Sequence, residues 1–309
     1  MAGGLAVPEP MSDISVIIPY YNREQTIDEA VQSVLAQSLK PLEIIIVNDC
    51  SREASRRCLD RYADTCKIID LTTNVGLAGA RNAGIRAAQG RFIALLDDDD
   101  IWLPNKLEVQ RRYMEEHPEC SAVHCSVCAF FSDKPDEVWT LFGPGPMTLA
   151  EALTYHHWVI PSTLILRASA MHALGGFNES FREVEDRDFM IRCAAAGYRI
   201  EGIGEPLVRF RRVGKDRLSE RRWRMYRVHI RLVWLHKALF YRAYGLRGPI
   251  NFLLMHLRLY SGNTRYLDGA VRFLMRLVKV EYRVRPGYRD PVTSADQGQT
   301  VDALVNRYR

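Results

Sequence analysis

Residues 92–102 read FIALLDDDDIW, where five apolar residues lead without a break into four consecutive aspartates. An unbroken apolar run predicts a strand buried on both faces, which is typical of a parallel sheet covered by helices. Three similar runs precede it, at Ile14–Ile18, Ile44–Val47 and Lys67–Leu71. Segments with helical spacing separate these runs, so the sequence predicts an α/β fold with a mixed, mostly parallel sheet and helices on both faces.

Short signals mark where these elements begin and end. Pro19 is predicted to end the first strand, and Thr26 with Glu29 has the spacing of a capping box at the start of the first helix. Two further helices are predicted at 52–63 and 79–88. The first third of the chain therefore alternates strands and helices.

The second half of the chain has a less regular pattern. Apolar runs at 122–131 and 163–166 predict strands, and 187–196 predicts a helix. The stretch 132–147, rich in Pro and Gly, predicts a loop. From Glu205 onward the chain is predicted to be basic and helical up to a loose polar tail.

Length and charge divide the chain into two regions. With 309 residues and 47% apolar composition, it can bury a large core and carry an extension. Residues 207–290 hold 21 Lys and Arg against 5 Asp and Glu, although the whole chain has a net charge of only +5. We predict one region over 1–214 and a basic helical region over 215–309. The positive region indicates a partner with phosphate groups.

The sequence predicts a cytoplasmic protein. Met1–Met11 lacks the basic start and apolar core of a leader, and no run reaches the roughly 18 apolar residues of a membrane span. Seven cysteines without a disulfide framework indicate a reducing compartment. Cys125 and Cys128 are interpreted as core thiols. Three histidines lack the spacing of metal ligands: His156, His157 and His172.

The acidic run Asp97–Asp100 is the sharpest candidate site. Four carboxylates that follow a buried strand repel one another unless a cation neutralises them. Carboxylate oxygens together with substrate phosphates suit Mg²⁺ or Mn²⁺. The run therefore predicts a divalent metal site, although it offers two registers and does not itself choose between them.

Asp49 ends a neighbouring strand, and ligands of such sheets bind beyond the carboxyl ends of the strands. Asp49 either caps the next helix or accepts a hydrogen bond from the imide N–H of a pyrimidine base. Tyr21 is either a surface aromatic residue or a stacking platform for that base. The spacing leaves both alternatives open.

Two more charged sites follow along the chain. Arg81 lies in the Gly-rich stretch 74–84, NVGLAGARNAG, where a helix start and an Arg side chain suit a diphosphate. Glu185 and Asp186 open a later helix, where acidic residues either complement the helix dipole or supply a general base. No Walker motif and no GxGxxG occur, which disfavours nucleoside-triphosphate and dinucleotide sites.

These features together resemble glycosyltransferase family two, the inverting nucleotide-sugar enzymes of GT-A fold, over about Ile14 to Arg212. Six stretches carry the resemblance in the family's order: SVIIPYYN at 15–22, IVNDCS at 46–51, GLAGARNAG at 76–84, LDDDDIW at 96–102, GGFNE at 175–179 and VEDRDFMIR at 184–192. Asn48, Cys50 and Asn178 depart from the residues usual in those motifs. The resemblance implies a catalytic region over 1–214, with a nucleotide-sugar half at about 12–105 and an acceptor half at about 106–214.

The resemblance also implies a role for each candidate residue. Asp186 is the base with Glu185 beside it, and Asp99 and Asp97 lie at the metal. The predicted donor-binding residues are Pro19, Tyr21, Asn22, Asp49, Asn74, Arg81, Asp97 and Asp98. The implied reaction is a metal-dependent, inverting transfer of a hexosyl or deoxyhexosyl group from a nucleoside-diphosphate sugar, with a UDP-sugar favoured.

The implied acceptor is a glycan or a lipid-linked sugar of bacterial cell-surface polysaccharide or lipopolysaccharide synthesis. A non-catalytic nucleotide-sugar binding protein is the main alternative. A glycoside hydrolase would need an acid and base pair flanking a sugar, and no strand-end metal cluster. A nucleic-acid partner is not expected, because the basic region lacks a recognisable motif. The sequence leaves the oligomeric state open.

The basic C-terminal region has two interpretations, which are compatible. It either packs as a helical subdomain on the catalytic core or lies on the anionic inner face of the cytoplasmic membrane. Its first helix is predicted to carry arginines on one face and apolar residues near the other. These are Arg224, Arg227 and Arg231 against Trp223, Tyr226, Ile230 and Val233.

Overall fold

The structure is a computed structural model that describes residues 12–141, 145–153, 159–212 and 218–260. The predictions about Met1–Met11, His156, His157 and the loose tail lie outside the described residues.

The described residues form one mixed sheet of nine strands with helices packed on it. The strands are β1 (Ile14–Tyr20), β2 (Glu43–Asn48), β3 (Lys67–Asp70), β4 (Phe92–Leu95), β5 (Ile101–Trp102), β6 (Cys120–Phe131), β7 (Lys134–Leu141), β8 (Ile165–Arg167) and β9 (Arg199–Arg212). The helices are α1 (Ile27–Leu35), α2 (Glu53–Arg57), α3 (Gly76–Ala87), α4 (Lys106–Glu116), α5 (Leu149–Ala152), α6 (Ala168–Ala173), α7 (Glu185–Ala195), α8 (Leu218–Leu235), α9 (Lys237–Tyr244) and α10 (Arg247–Tyr260). The strand order is β3-β2-β1-β4-β8-β6-β9-β5, with β7 paired to β6. The predicted α/β class is confirmed.

The first four strands form the parallel part of the sheet. The side chains of β1, β2 and β4 are buried on both faces, since Ile18 packs in one hydrophobic cluster with Val31 of α1, and Ile17 packs in another with Ala80 of α3. This two-sided burial explains why these strands read as continuous apolar runs. The carboxyl ends of β1, β2 and β4 therefore lie at one edge of the sheet, where the site forms.

The first strand runs two residues further than predicted and includes Pro19. The carbonyl of Ile17 accepts from Leu96 N on the β4 side, and the carbonyl of Tyr20 accepts from Asp49 N on the β2 side. By alternation, the Pro19 nitrogen faces the β4 side, beyond the last pair of that register. The missing N–H of proline therefore removes no ladder bond here.

Two predictions about the first helices are wrong in detail. Thr26 is the N-cap of α1, but its side chain makes no capping hydrogen bond, so the capping box does not form. Glu29 instead pairs with Arg211 of β9, a distant partner that local spacing cannot reveal. The helix predicted at 52–63 is limited to α2, followed by a 3₁₀ turn at Asp60–Tyr62.

The region from 132 to 212 contains more strand than predicted. The stretch predicted as a loop contains β7, which forms a hairpin with β6. The chain after Glu205 continues β9, which pairs with β6 and β5, and is not helical there. Arg209 and Arg211, two residues apart, both stack on Phe130, with guanidinium carbons 4.7 Å and 4.8 Å from the ring centroid. Their alternation with Val208 is the period of a strand, which the basic composition obscured.

Helices α8, α9 and α10 pack on the same hydrophobic core as α3 and α7. Leu232, Phe240 and Phe252 belong to the hydrophobic cluster that also contains Phe189 of α7. The interpretation of this region as helices packed on the core is therefore confirmed for the described residues. The division of the sequence near residue 214 stays a prediction.

The apolar residues predicted near one side of α8 differ in their burial. Val233 is buried, whereas Trp223 and Ile230 are 59% and 43% exposed. The buried side of α8 also includes His229 and Leu232, one turn apart. None of the described helices is long and apolar enough to cross a bilayer.

Cys125 and Cys128 are buried and free, as predicted for core thiols. Burial raises the thiol pKa of Cys125 to about 12 and that of Cys128 to about 11. Both thiols therefore stay protonated at neutral pH and are poor metal ligands.

Candidate active site

A cavity of about 750 Å³ opens at the carboxyl edge of the parallel strands. This volume lies within the range of ligand sites in proteins. Most of the lining comes from the strand ends, the start of α3, the segment before α7 and one face of α8. The polar and charged lining residues are Tyr20, Tyr21, Arg23, Asp49, Asn74, Asp97, Asp98, Asp99, Ser180, Arg182, Glu183, Arg224 and Arg231.

The four aspartates after β4 do not have the same environment. Asp97, Asp98 and Asp99 line the cavity, whereas Asp100 is 1% exposed and does not. Asp100 accepts from Ser162 Oγ at 2.5 Å and from the backbone N–H of Arg211 at 3.0 Å. Its burial raises its pKa well above the usual range. Asp100 therefore stabilises the turn after β4 through buried contacts. Of the two possible pairs of metal ligands in the run, Asp97 and Asp99 are favoured, because both line the cavity and Asp100 does not.

Crowding and burial hold part of this cluster protonated. Burial, with a contribution from the neighbouring Asp99 carboxylate, raises the pKa of Asp98 to about 8. Burial also raises the pKa of Asp99, which pairs with Arg23 at 2.5 Å. Arg23 was not identified from the sequence, although it directly follows the YYN end of β1.

The aspartates can supply two ligand oxygens to a divalent cation. Arg81 donates to Oδ1 of Asp97 at 2.5 Å, and Arg23 donates to Oδ2 of Asp99. Within the described part of the chain, the other oxygen of each carboxylate makes no hydrogen bond. No group of three His, Cys, Asp or Glu side chains forms a metal cage among the described residues. The donor set fits a Mg²⁺ or Mn²⁺ ion whose remaining ligands are substrate phosphates and water.

Asp49 caps a helix, but the helix is α3 and not the one that follows Asp49 in sequence. Its two carboxylate oxygens accept from the backbone N–H groups of Val75 at 2.7 Å and Gly76 at 2.9 Å. Asn74 donates to the Asp49 carbonyl at 3.1 Å. Asp49 also borders the cavity, so its contact with a pyrimidine base stays a prediction.

The end of β1 contributes residues with different roles. Pro19 and Tyr21 line the cavity, and the Tyr21 side chain is half exposed. Asn22 has a left-handed backbone, and its Oδ1 accepts from the Arg52 backbone N–H at 2.9 Å while its own N–H donates to Ser51. Asn22 therefore links this turn to the one after β2.

Like Asn22 after β1, a residue in the turn after β2 has a positive φ although it is not glycine. Cys50, one of the departures from the resembled motifs, adopts a φ of 59°. A Cβ makes the left-handed backbone conformation less favourable than it is for glycine. The turn nevertheless adopts this conformation at Cys50.

Arg81 connects the acidic run to the start of α7. It is 1% exposed and donates to Asp97 at 2.5 Å and to Glu185 at 2.6 Å. Its guanidinium carbon lies 5.3 Å from the centroid of Phe177. Although burial lowers the pKa of Arg81, the charges of Asp97 and Glu185 outweigh it and keep the pKa above its usual value. In this structure Arg81 binds two carboxylates, and its predicted contact with a diphosphate stays untested.

Glu185 and Asp186 are the first two residues of α7, after Val184 in a left-handed conformation. Glu185 is 5% exposed, and burial raises its pKa to about 7 despite Arg81. Burial likewise raises the pKa of the half-buried Asp186, which accepts from the Arg187 N–H at 2.7 Å. Arg81 holds the Glu185 carboxylate, neither Glu185 nor Asp186 is among the residues that line the cavity, and the role of Asp186 as a base stays a prediction.

The GGFNE turn holds the segment before α7 against α3. Asn82 of α3 accepts from the Phe177 N–H at 2.8 Å and donates to the Phe177 carbonyl at 2.9 Å. Gly176 has a φ of 73°, and a Cβ at this position would lie 2.4 Å from the Asn82 oxygen. Only glycine therefore fits beside Asn82 without a shift of this link.

The chain is similar to proteins of a known family. The model of the family described as glycosyl transferase family 2 matches residues 15–174. The chain is 31% identical over 183 residues to the UDP-Glc:alpha-D-GlcNAc-diphosphoundecaprenol beta-1,3-glucosyltransferase WfaP of Escherichia coli, which covers 59% of this chain and 69% of that protein.

Two solved structures have the same fold. The structure of TarS 1-349 from S. aureus in complex with UDP-GlcNAc has a TM-score of 0.61 at 21% identity, covering 83% of this chain and 74% of that one. The mannosyltransferase PcManGT from Pyrobaculum calidifontis, in complex with GDP-Man and Mn²⁺, has a TM-score of 0.56 at 17% identity, covering 89% and 82%. At these identities the likeness supports the fold alone.

Proposed function

Because this chain belongs to glycosyl transferase family 2 and is a glycosyltransferase, we propose that it moves a hexosyl or deoxyhexosyl group from a nucleoside-diphosphate sugar, with UDP favoured, to an acceptor hydroxyl. One observation carries the proposal. Arg81 contacts both Asp97 of the acidic run and Glu185, which precedes the candidate base Asp186. Arg81 thereby holds the start of α7, which carries Asp186, next to Asp97, and Asp97 lines the cavity.

The proposed reaction is a single displacement. Asp186 accepts the proton of the acceptor hydroxyl as its oxygen attacks the anomeric carbon, and the bond from that carbon to the diphosphate oxygen breaks. One displacement inverts the anomeric configuration. The positive charge of Arg81 beside Glu185 favours ionised carboxylates at this end of the site.

Asp97 and Asp99 are proposed to hold a divalent cation together with the donor diphosphate. When bound, this ion supplies Lewis-acid stabilisation of the negative charge that develops on the leaving diphosphate. The Mn²⁺ found with PcManGT supports this proposal. Tyr21 is proposed to stack on the base of the nucleotide, and Asp49 to accept from its imide N–H.

The proposed acceptor is a lipid-linked glycan precursor of bacterial surface polysaccharide. The name of WfaP, which gives a GlcNAc-diphosphoundecaprenol acceptor and a UDP-Glc donor, supports this choice. The sugar that this chain transfers is to be found by screening UDP- and dTDP-sugars for stabilisation of the folded protein with Mn²⁺.

Acceptor-dependent release of free nucleoside diphosphate tests the proposed function. We expect UDP release from the selected UDP-sugar with Mn²⁺ to rise at least tenfold when a lipid-diphosphate-linked sugar is added, because the acceptor hydroxyl is the nucleophile. A non-catalytic binding protein would release none under either condition. Release at the same rate without acceptor would identify a hydrolase.

We also propose that α8 to α10 lie on anionic lipid at the inner face of the cytoplasmic membrane. Most of the exposed large apolar side chains of the described residues lie on these helices or in the link between α9 and α10; Trp234 of α8 is 70% exposed and Leu246 of the link is 75% exposed. Basic residues accompany them, and the Lys237 ammonium lies 4.0 Å from the Trp234 ring centroid. Aromatic side chains with neighbouring cations are typical of a membrane-surface contact.

Liposome flotation checks this placement. The double variant Trp234→Glu with Leu246→Glu is expected to bind anionic liposomes at least about tenfold less than wild type, because it removes two exposed apolar contacts and adds negative charge. The matched variant Trp234→Phe with Leu246→Met keeps the apolar area and should float like wild type. Wild-type binding should fall at about 0.5 M salt.

Equal flotation of both double variants would rule out this surface. Loss of a dimer in the Glu variant, without lipid, would identify a self-association surface instead.

A further inference from the structure

The part of the cavity lining that comes from α8 and from the segment before α7 carries arginines that the proposed reaction does not use. Arg224, Val228 and Arg231 are spaced i, i+4, i+7 on α8, so they share one face of the helix, and all three line the cavity. Arg182, from the segment before α7, lines it beside them. We call Arg182, Arg224 and Arg231 the arginine wall.

Two arginines of this wall have no carboxylate partner in the described part of the chain. Glu183 pairs with Arg224. Among the described residues, Arg231 donates only to the carbonyl of Ser180, at 3.1 Å, and it stacks on Phe181, with its guanidinium carbon 5.2 Å from the ring centroid. The Arg182 side chain passes 3.8 Å from the position of a Cβ on Gly76 and forms no ion pair among the described residues. The wall thus offers about two uncompensated positive charges to the cavity.

The acidic side of the cavity does not supply the missing negative charge. Asp97 and Asp99 are each paired with an arginine of their own, Arg81 and Arg23. Asp98 accepts from the Tyr21 N–H at 3.3 Å, and Asp49 accepts from the N–H groups of Val75 and Gly76. A donor diphosphate with a divalent cation adds no net charge, because the two charges are equal and opposite. The arginine wall is therefore left for a second anion.

The position of the wall assigns this anion to the acceptor. Ser180 and Glu183, which hold Arg231 and Arg224, lie in the segment that leads directly into α7. The second residue of α7 is Asp186, the proposed base. An anionic group at the wall would therefore lie on the side from which the acceptor hydroxyl approaches Asp186.

We infer that the arginine wall binds the diphosphate of the acceptor, a diphosphate ester that joins the acceptor sugar to its lipid. Guanidinium groups form paired, charge-assisted hydrogen bonds with phosphate oxygens, which suits this role. The inference rests on the proposed function. Beyond that function, it names the group attached to the acceptor sugar, a diphosphate ester, and the arginines that recognise it.

Direct binding of decyl diphosphate tests the inference without turnover. Its Kd is measured for the full chain with the donor site saturated by UDP and Mn²⁺, and decyl glucoside serves as the neutral probe. The variants Arg231→Gln and Arg182→Gln are each expected to weaken decyl diphosphate binding by roughly 10- to 100-fold, the loss of charge-assisted hydrogen bonds. Both should bind decyl glucoside and UDP with Mn²⁺ as wild type does. Arg227→Gln, an exposed arginine of α8 outside the cavity lining, is the matched control and should bind decyl diphosphate normally.

Three outcomes would overturn the inference. Displacement of decyl diphosphate by UDP with Mn²⁺ would place the arginine wall in the donor site. Equal affinity of wild type and both wall variants, at unchanged melting temperature, would show that the wall recognises no phosphate. An equal loss in Arg227→Gln would show that only the general charge of α8 attracts the probe. Failure of the proposed function itself would appear separately, as an absence of UDP-sugar binding and of UDP release.

Discussion

Replacing Asp186 with Asn is expected to lower kcat by roughly 10²- to 10⁴-fold, the usual contribution of a general base. The substitution keeps the shape of the side chain and removes the proton acceptor. Donor binding should change little, because Asp186 is assigned to the acceptor hydroxyl. Steady-state rates together with the Kd for UDP-sugar measure both effects. Glu185→Gln is the matched comparison, since it also converts a carboxylate of α7 to an amide.

The two variants separate the candidates for the base. If Asp186→Asn turns over at a rate near that of wild type while Glu185→Gln loses activity, Glu185 is the base and the assignment is wrong. We expect Glu185→Gln to retain most of the rate at saturating substrate, because Glu185 is held by Arg81 within the protein.

The direction in which wild-type activity changes with pH is a further test of the assigned base. Burial raises the pKa of Asp186 and raises that of Glu185 to about 7. A base acts in its ionised form, so kcat/KM should fall as pH decreases through the raised pKa of this interacting pair, well above the ordinary range of a carboxylate. Asp186→Asn should lose this acid limb along with most of its rate.

Replacing Asp99 with Ala is expected to lower kcat/KM by roughly 10²- to 10³-fold, since stabilisation of a leaving diphosphate by a metal is worth several kcal/mol. Mn²⁺ titration by electron paramagnetic resonance, in the presence of UDP, should show weaker metal binding by the variant. Excess EDTA should abolish wild-type activity, and added Mn²⁺ should restore it.

Asp100 provides the internal control for this prediction. Asp100→Asn alters the buried contacts with Ser162 and Arg211 and should lower the melting temperature. Its folded fraction should still bind Mn²⁺ with UDP as wild type does. Full wild-type activity in excess EDTA would remove the metal from the mechanism.

The nucleotide half was predictable because its signals are local. The strands β1, β2 and β4 are buried on both faces and read as apolar runs, and the polar residues that follow them lie at one edge of the sheet. The same logic placed Asp97 and Asp99 at the cavity. The sequence could not show that Asp100 is buried, because its partners Ser162 and Arg211 are distant in the chain.

The remaining differences arise from long-range contacts that override local pattern. Glu29 has the spacing of a capping residue, but Arg211 of β9 takes its carboxylate. Asp49 caps α3, which begins 27 residues later, and not the helix that follows it. The C-terminal part of β9 was predicted as helix because its composition is basic, although Arg209 and Arg211 alternate with Val208 as strand residues do. Arg224 and Arg231 were predicted on an arginine face of α8, but their position in the cavity depends on how α8 packs against the segment before α7.

The anomeric configuration of the first product tests the central claim most directly. A UDP-sugar with an α-linked sugar is incubated with acceptor and Mn²⁺, and the product is examined by NMR through the coupling constant of its anomeric proton before any rearrangement. A single displacement with Asp186 as base predicts a β-linked product. An α-linked product would contradict the account, because retention requires a second displacement or a different chemical course.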